Sequence, residues 1–164
     1  MSYKIKLDTE KLKKELTPLE YNVCLNHGTE APFQNAFYNS KTHGMYSCKC
    51  CATPLFTSES KFDSGTGWPS YFEPISTDVI EEVVDSTLGM RRVEVRCAAC
   101  GSHLGHVFPD GPAPTYQRYC INEAVRRCAP QLHPSLLWSE KQNCVFLLHL
   151  DVQKHHSLLS LLCL

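Results

Sequence analysis

CAACGSHLGHVFPDGPAPTYQRYCIN, residues 97–122, is the run from which the architecture of this 164-residue chain can be read. It opens on Cys97-x-x-Cys100 and passes through His103-x-x-His106. It then crosses the Pro/Gly-rich turn 109–114 and ends on a single cysteine, Cys120. A cysteine knuckle joined to a hairpin of this kind carries two imidazoles and one thiol toward a common place. Just before it, Val93 and Val95 alternate with Arg92, Glu94 and Arg96, the period of a half-buried strand that delivers Cys97 directly. Residues 79–86 and 90–96 read as a hairpin turning at 86–89, and 119–122 resumes as a strand after the turn.

Upstream the texture stays β, with short apolar pieces and frequent turns from Cys48 onward. The loop SGTGWPS, 64–70, has glycines whose backbone is expected in conformations that only Gly tolerates. Residues 44–47 read as a short strand. Helical signals are confined to the start. Residues 8–16 read as a short exposed helical turn around Leu12 and Leu16. Thr17-Pro18-Leu19-Glu20 is a capping box with proline at the first helical position, opening about two turns that Gly28 closes. The fold class expected is therefore mainly all-β with short N-terminal helices. Residues 1–15 read as an extension, 16–130 as one domain, and 131–164, Leu-rich and without placeable caps, as an atypical tail.

Composition narrows the function. A net charge of −1 offers no basic footprint for nucleic acid. No apolar run approaches the roughly 20 residues that span a bilayer, and none at the start resembles a signal peptide. The expectation is a cytoplasmic protein, with the nucleus also open, no membrane partner and a monomeric state. Ten cysteines are the anomaly. Without an export signal they point to metal or redox chemistry rather than a disulfide framework.

Cys48-x-x-Cys51 and Cys97-x-x-Cys100 supply four thiolates, the donor set of one structural zinc ion with a closed coordination sphere. Because each pair sits in a turn between strands, one Zn2+ would tie two distant hairpins, and its binding energy would be folding energy. Cys50 is a competitor, though spacing favours Cys48 and Cys51 and leaves Cys50 pointing away; buried or disulfide-forming cysteines are the plain alternative. Cys120 is left over. The neighbouring Arg118 is a cation that favours thiolate, although a lone cysteine in a strand is commonly an inert buried thiol. Taken alone, His103 and His106 are equally readable as a metal pair or polar loop residues, and Trp68 as a core aromatic.

The motifs LTPLEYNV, CxxC followed by PLF, KFDSGTGWPSY, RRVEVRCAACGSHLGHVFPDGP and RYCIN, in that order, resemble the B-type peptide methionine sulfoxide reductases across roughly residues 16–129. The resemblance implies a zinc-stapled fold of two antiparallel sheets, of β-tent type, that reduces the R epimer of methionine sulfoxide. It implies Cys120 as the catalytic thiol, with His103, His106, Asn122 and Arg118 as its polar surroundings and Trp68 as the aromatic wall. A thiolate attacks the sulfoxide sulfur, the histidines protonate the departing oxygen, and Cys120 is left as a sulfenic acid. The implied partners are oxidised proteins bearing methionine-R-sulfoxide, in repair under oxidative stress, and thioredoxin or another thiol reductant.

Two departures accompany the resemblance. Many members carry a resolving cysteine in the SG-x-GW loop, where this chain has Thr66. Cys24 is the expected replacement, with Cys50, Cys128, Cys144, Cys163 or an external thiol as alternatives. Within residues 123–130 the likeness fades, which puts the last strand of the domain in question. The rival functions are a non-enzymatic zinc-stapled binding module, and a zinc hydrolase or deaminase using His106 as a ligand.

Overall fold

Thr17 accepts a hydrogen bond from the Glu20 amide (3.2 Å) and Glu20 returns one to the Thr17 amide (2.8 Å), so the capping box forms as read. It opens helix α2, Pro18–Asn26. Helix α1, Thr9–Glu15, precedes it, capped by Asp8; its Leu12 is buried, so this turn belongs to the core. The structure, a computed structural model, describes residues 3–34, 40 and 42–130. The tail 131–164, with Cys144 and Cys163, lies outside the described residues, and so does the Cys128 side chain.

Among the described residues nine strands follow: β1 Gly44–Cys48, β2 Pro54–Thr57, β3 Lys61–Phe62, β4 Ser70–Tyr71, β5 Ile80–Asp85, β6 Arg92–Cys97, β7 His103–Phe108, β8 Arg118–Ile121 and β9 Arg126–Pro130. They form two antiparallel sheets, β2-β1-β9 and β3-β4-β8-β7-β6-β5. The expected all-β fold with short N-terminal helices is what is found. Residues 126–130, where the family likeness fades, still pair with β1 along their full length. Backbone pairing asks less of sequence than a motif does, and Arg126 is held by stacking on Tyr46 (4.5 Å).

The core lies between the sheets and α2. Tyr46, Leu55, Phe56, Tyr71, Val95, Leu104, Ile121 and Val125 are all buried, with Phe56 stacked on Tyr71 at 4.5 Å. The N-terminal residues join this body: the Ile5 amide bonds the Ala99 carbonyl (2.8 Å) and Tyr3 reaches Glu81 (2.8 Å). Helix α2 ends one residue earlier than glycine would dictate. His27 takes the left-handed conformation (φ 56°), and a side chain at Gly28 would make the Asn22 amide shift. His27 tolerates that conformation with its imidazole bonded to Glu94 (2.6 Å).

Candidate active site

Strand β8 sorts its residues by the two-residue period of a strand. Tyr119 and Ile121 enter the core, while Cys120 and its flanks Arg118 and Asn122 take the other side. Strand β7 pairs beside it with His106 opposite Cys120. Residues three apart on a regular strand face opposite ways, so His103 and His106 should diverge. They do not, because Val95 pairs Gly105 and Arg96 pairs His103, leaving Leu104 as an extra residue in a bulge. The two rings lie 5.6 Å apart, edge to face.

A cavity of about 130 Å³ stands over Cys120, lined by Trp68, His106, Phe108 and Asn122 among others. Trp68 arrives on the glycine-rich loop, whose Gly65 and Gly67 have φ of 70° and 86°, as the sequence led one to expect. Its indole donates to the Glu30 carbonyl (3.2 Å). Asn122 is buried and held at both ends of its amide: Oδ1 accepts from Thr29 Oγ1 (3.1 Å) and the Glu30 amide (3.2 Å), and Nδ2 donates to the Leu104 carbonyl (3.2 Å). The Glu30 carboxylate in turn accepts from the Ala124 amide (2.9 Å) and the Glu123 amide. Glu30 therefore locks the Trp68 loop, Asn122 and the turn after β8 together. Sequence reasoning passed over it, since nothing but its place after Gly28 marks it.

Burial pushes the Cys120 thiol up, and Arg118 and Thr66, which both pull it down, are outweighed. The cation acts in the direction expected of it and loses. Arg118 spends its fork on Asp110 (2.9 and 2.8 Å) and lies over the Phe108 ring (4.4 Å).

Each histidine has a carboxylate behind it, and each carboxylate an arginine. His106 Nε2 meets Asp85 Oδ2 at 2.9 Å, and Arg92 donates to the same oxygen (2.7 Å). His103 Nδ1 meets Glu94 Oε1 at 2.6 Å, which His27 shares, while Arg96 takes Oε2 (2.6 Å). The Arg96, His103 and His27 hydrogen bonds overcome the burial that opposes them and hold the Glu94 carboxyl down to about 2. His103 is almost wholly buried, and burial lowers its pKa despite Glu94, favouring neutral imidazole. It lines a larger cavity of about 610 Å³ beside the first; His106 lines both. His27, Glu94 and His103 are placed closely enough to hold a metal, but the Glu94 oxygens are already taken by three donors.

The second centre is the cysteine cluster. Sγ of Cys48 lies 3.8 Å from that of Cys100, and Sγ of Cys51 3.6 Å from that of Cys97. All four sulfurs fall within 4.8 Å of one another, and none is in a disulfide. Zn–S bonds of about 2.3 Å place tetrahedral sulfurs about 3.8 Å apart, so the set fits zinc. One knuckle is the β1–β2 turn and the other the β6–β7 turn, so an ion there would join the two sheets. The knuckles share one backbone device. The Ala52 amide bonds the Cys48 carbonyl (2.9 Å) and the Gly101 amide bonds the Cys97 carbonyl (2.8 Å). Both donors are left-handed, at φ 61° and 78°.

Cys50 is not one of the four; its thiol meets Ser102 (3.5 Å) and lies against Cys24 and Cys48. Cys24 is buried in α2, where contact with Cys50 and burial both push its thiol up. It does not line the cavity over Cys120.

The SelR domain model matches residues 16–129. The chain is 56% identical over 110 residues to the peptide methionine sulfoxide reductase MsrB of Agrobacterium fabrum, covering 67% of this chain and 82% of that one. The MsrB of Pseudomonas aeruginosa is 48% identical over 128 residues (78% and 97%), and that of Escherichia coli 50% over 122 (74% and 89%). With the fold, the cysteine cluster and these relatives in agreement, the chain belongs to the methionine sulfoxide reductase B family.

Proposed function

We propose that this protein reduces methionine-R-sulfoxide, chiefly in oxidised proteins, with Cys120 as nucleophile. The observation that carries the reading is Cys120 facing His106 across the β7–β8 ladder beneath a cavity walled by Trp68. The Trp68 face seats the substrate's methyl group, and the sulfoxide oxygen is directed to His106. As thiolate, Cys120 sulfur gives two electrons to the substrate, whose S–O bond breaks as His106 supplies a proton to the oxygen, and that oxygen ends bonded to the Cys120 sulfur. The products are methionine and a Cys120 sulfenic acid. Two thiols then return Cys120 to its reduced state, releasing water and a disulfide.

The proton falls to His106 rather than to both histidines. His103 is buried, inclined to stay neutral and bonded to Glu94, which suits it to shaping the floor beside His106. Asn122 holds the end of the thiol's strand in place, and Arg118 and Thr66 temper the effect of burial. Cys48, Cys51, Cys97 and Cys100 would hold zinc, which supplies structure and takes no part in the reaction. Thiol reductants of the thioredoxin class reach Cys120 through the cavity mouth. Resolution by Cys24 would first require α2 to open.

A zinc-dependent hydrolase would need an open metal position, and four thiolates leave none. A binding module would have no use for Cys120, His106 and Trp68 around one small cavity. Turnover of N-acetyl-methionine-R-sulfoxide with dithiothreitol, beside the S epimer and Cys120→Ser, tests the reading. R-only turnover lost in the variant is expected. Unchanged turnover by Cys120→Ser would rule the nucleophile out.

A further inference from the structure

We infer that Asp85 is a positioning residue for His106, and that the Asp85–His106 pair delivers the proton to the sulfoxide oxygen. This rests on the function proposed above.

The geometry is that of a carboxylate over-determined in place. Asp85 ends β5 and pairs in register with Arg92 of β6. Its Oδ1 accepts from the Thr87 amide (2.9 Å) and hydroxyl (2.6 Å); its Oδ2 accepts from Arg92 (2.7 Å) and faces His106 Nε2 (2.9 Å). Four groups converge on one side chain; Arg92 and His106 among them both line the reactive cavity, and His106 is the one carried on the strand beside Cys120. The ring is further confined by His103 and by Phe108, whose centroid lies 6.5 Å away.

The chemistry follows from which nitrogen is engaged. A carboxylate accepts, so Nε2 carries the hydrogen and Nδ1 is the nitrogen offered to substrate. A proton on Nδ1 makes the ring cationic, and Asp85 balances that charge until the proton passes to the oxygen. The ring then returns to the neutral form with the Asp85 hydrogen bond intact, so one residue orients the donor in both states.

The charged and titratable neighbours set the sign of the test. His106 bonds Asp85 of β5, pairs with Glu94 of β6 and Cys120 of β8, lies against His103 of its own strand and shares its two cavities with Arg92 and Arg96 of β6, while Arg118 of β8 and its partner Asp110 stand beyond Phe108. His27 stands at the end of α2. Glu94 is spent on His27, His103 and Arg96. With Asp85 neutralised, Arg92 loses its counter-ion and opposes a cationic ring, so both changes act in one direction.

The experiment is the pH dependence of kcat and KM for N-acetyl-methionine-R-sulfoxide, with dithiothreitol, on the zinc-loaded wild type, Asp85→Asn and Asp85→Glu. For Asp85→Asn, kcat is expected to fall about 10- to 100-fold. KM should stay within about twofold, and the alkaline limb of kcat should move about one pH unit lower. Asp85→Glu should recover part of both. Iodoacetamide alkylation of Cys120 should stay within about twofold, placing the loss on the acid and not the nucleophile. A fall in kcat with an unmoved limb, or unchanged kcat, overturns the inference. If Asp85→Asn does not fold, Thr87→Val, which removes one hydrogen bond to the carboxylate, should show a smaller shift of the same sign; no shift overturns the inference. A wild type inactive on the R epimer would overturn the functional reading itself, and this inference with it.

Discussion

Gly105 lies against the carbonyl oxygen of Cys120 so closely that a methyl group on its Cα would overlap that oxygen. The contact is what lets β7 and β8 bring His106 opposite Cys120 immediately after the Leu104 bulge. Gly105→Ala should therefore push β8 away from β7. The expected cost is about 2 kcal/mol of stability and, because the reacting groups are displaced, about 100-fold in kcat/KM. Thermal melts and turnover of the R-sulfoxide measure the two separately. Wild-type activity in this variant would mean that the register is not what aligns the pair.

The Cys120 thiol should be sluggish at neutral pH. Burial raises its pKa more than Arg118 and Thr66 lower it, so the thiolate fraction in the resting protein is small and grows with pH. Alkylation of Cys120 by iodoacetamide, followed by peptide mass spectrometry, should accelerate about tenfold per pH unit and level off only above the range of an ordinary cysteine. Arg118→Gln removes a force that favours thiolate and should move the profile further alkaline. A plateau near pH 7 would show that the cation prevails over burial.

How much of this was legible in the sequence divides along strand β6. Its Val/charged alternation gave the strand, and the knuckle gave the turn that follows. The same alternation hid the site, because charged residues on one face read as a solvated surface. Glu94 is buried, and Arg96 is tied to it. What reverses the reading is that β7 covers that face with two histidines, a long-range pairing that no local period reports. Asp85 and Glu30 were missed for the same reason, since each acts on a residue distant in the chain. Cys120, His106 and Trp68 were legible only through motif order. The bulge at Leu104, which puts both histidines on one side, has no signal beyond Gly105.

The zinc knuckles offer a test through backbone alone. Gly101 occupies its left-handed position without strain, whereas Ala52 holds the equivalent one with a Cβ. Ala52→Gly should stabilise the protein by about 1 kcal/mol, read as a rise in melting temperature of a few degrees. Cys97→Ser, or withdrawal of metal by a strong chelator, should act in the opposite sense and unfold the domain, since the cluster joins the two sheets. Metal analysis should return one zinc per chain. Full stability after chelation would show that sheet packing suffices without the ion.

The last expectation concerns how Cys120 is returned to its thiol. Cys24 is enclosed in α2 and its thiol is turned to Cys50, so a Cys120–Cys24 disulfide would need the helix to unfold first. Local opening of a packed helix costs several kcal/mol, whereas a small thiol has direct access to the cavity. After one turnover without reductant, Cys120 should be trapped by dimedone as the sulfenic acid, and peptide mapping should find it unlinked to Cys24. Cys24→Ser should retain dithiothreitol-driven turnover within about twofold. A Cys120–Cys24 disulfide formed at a rate matching turnover would mean that α2 opens in each cycle, and that the helix is part of the reductive half-reaction.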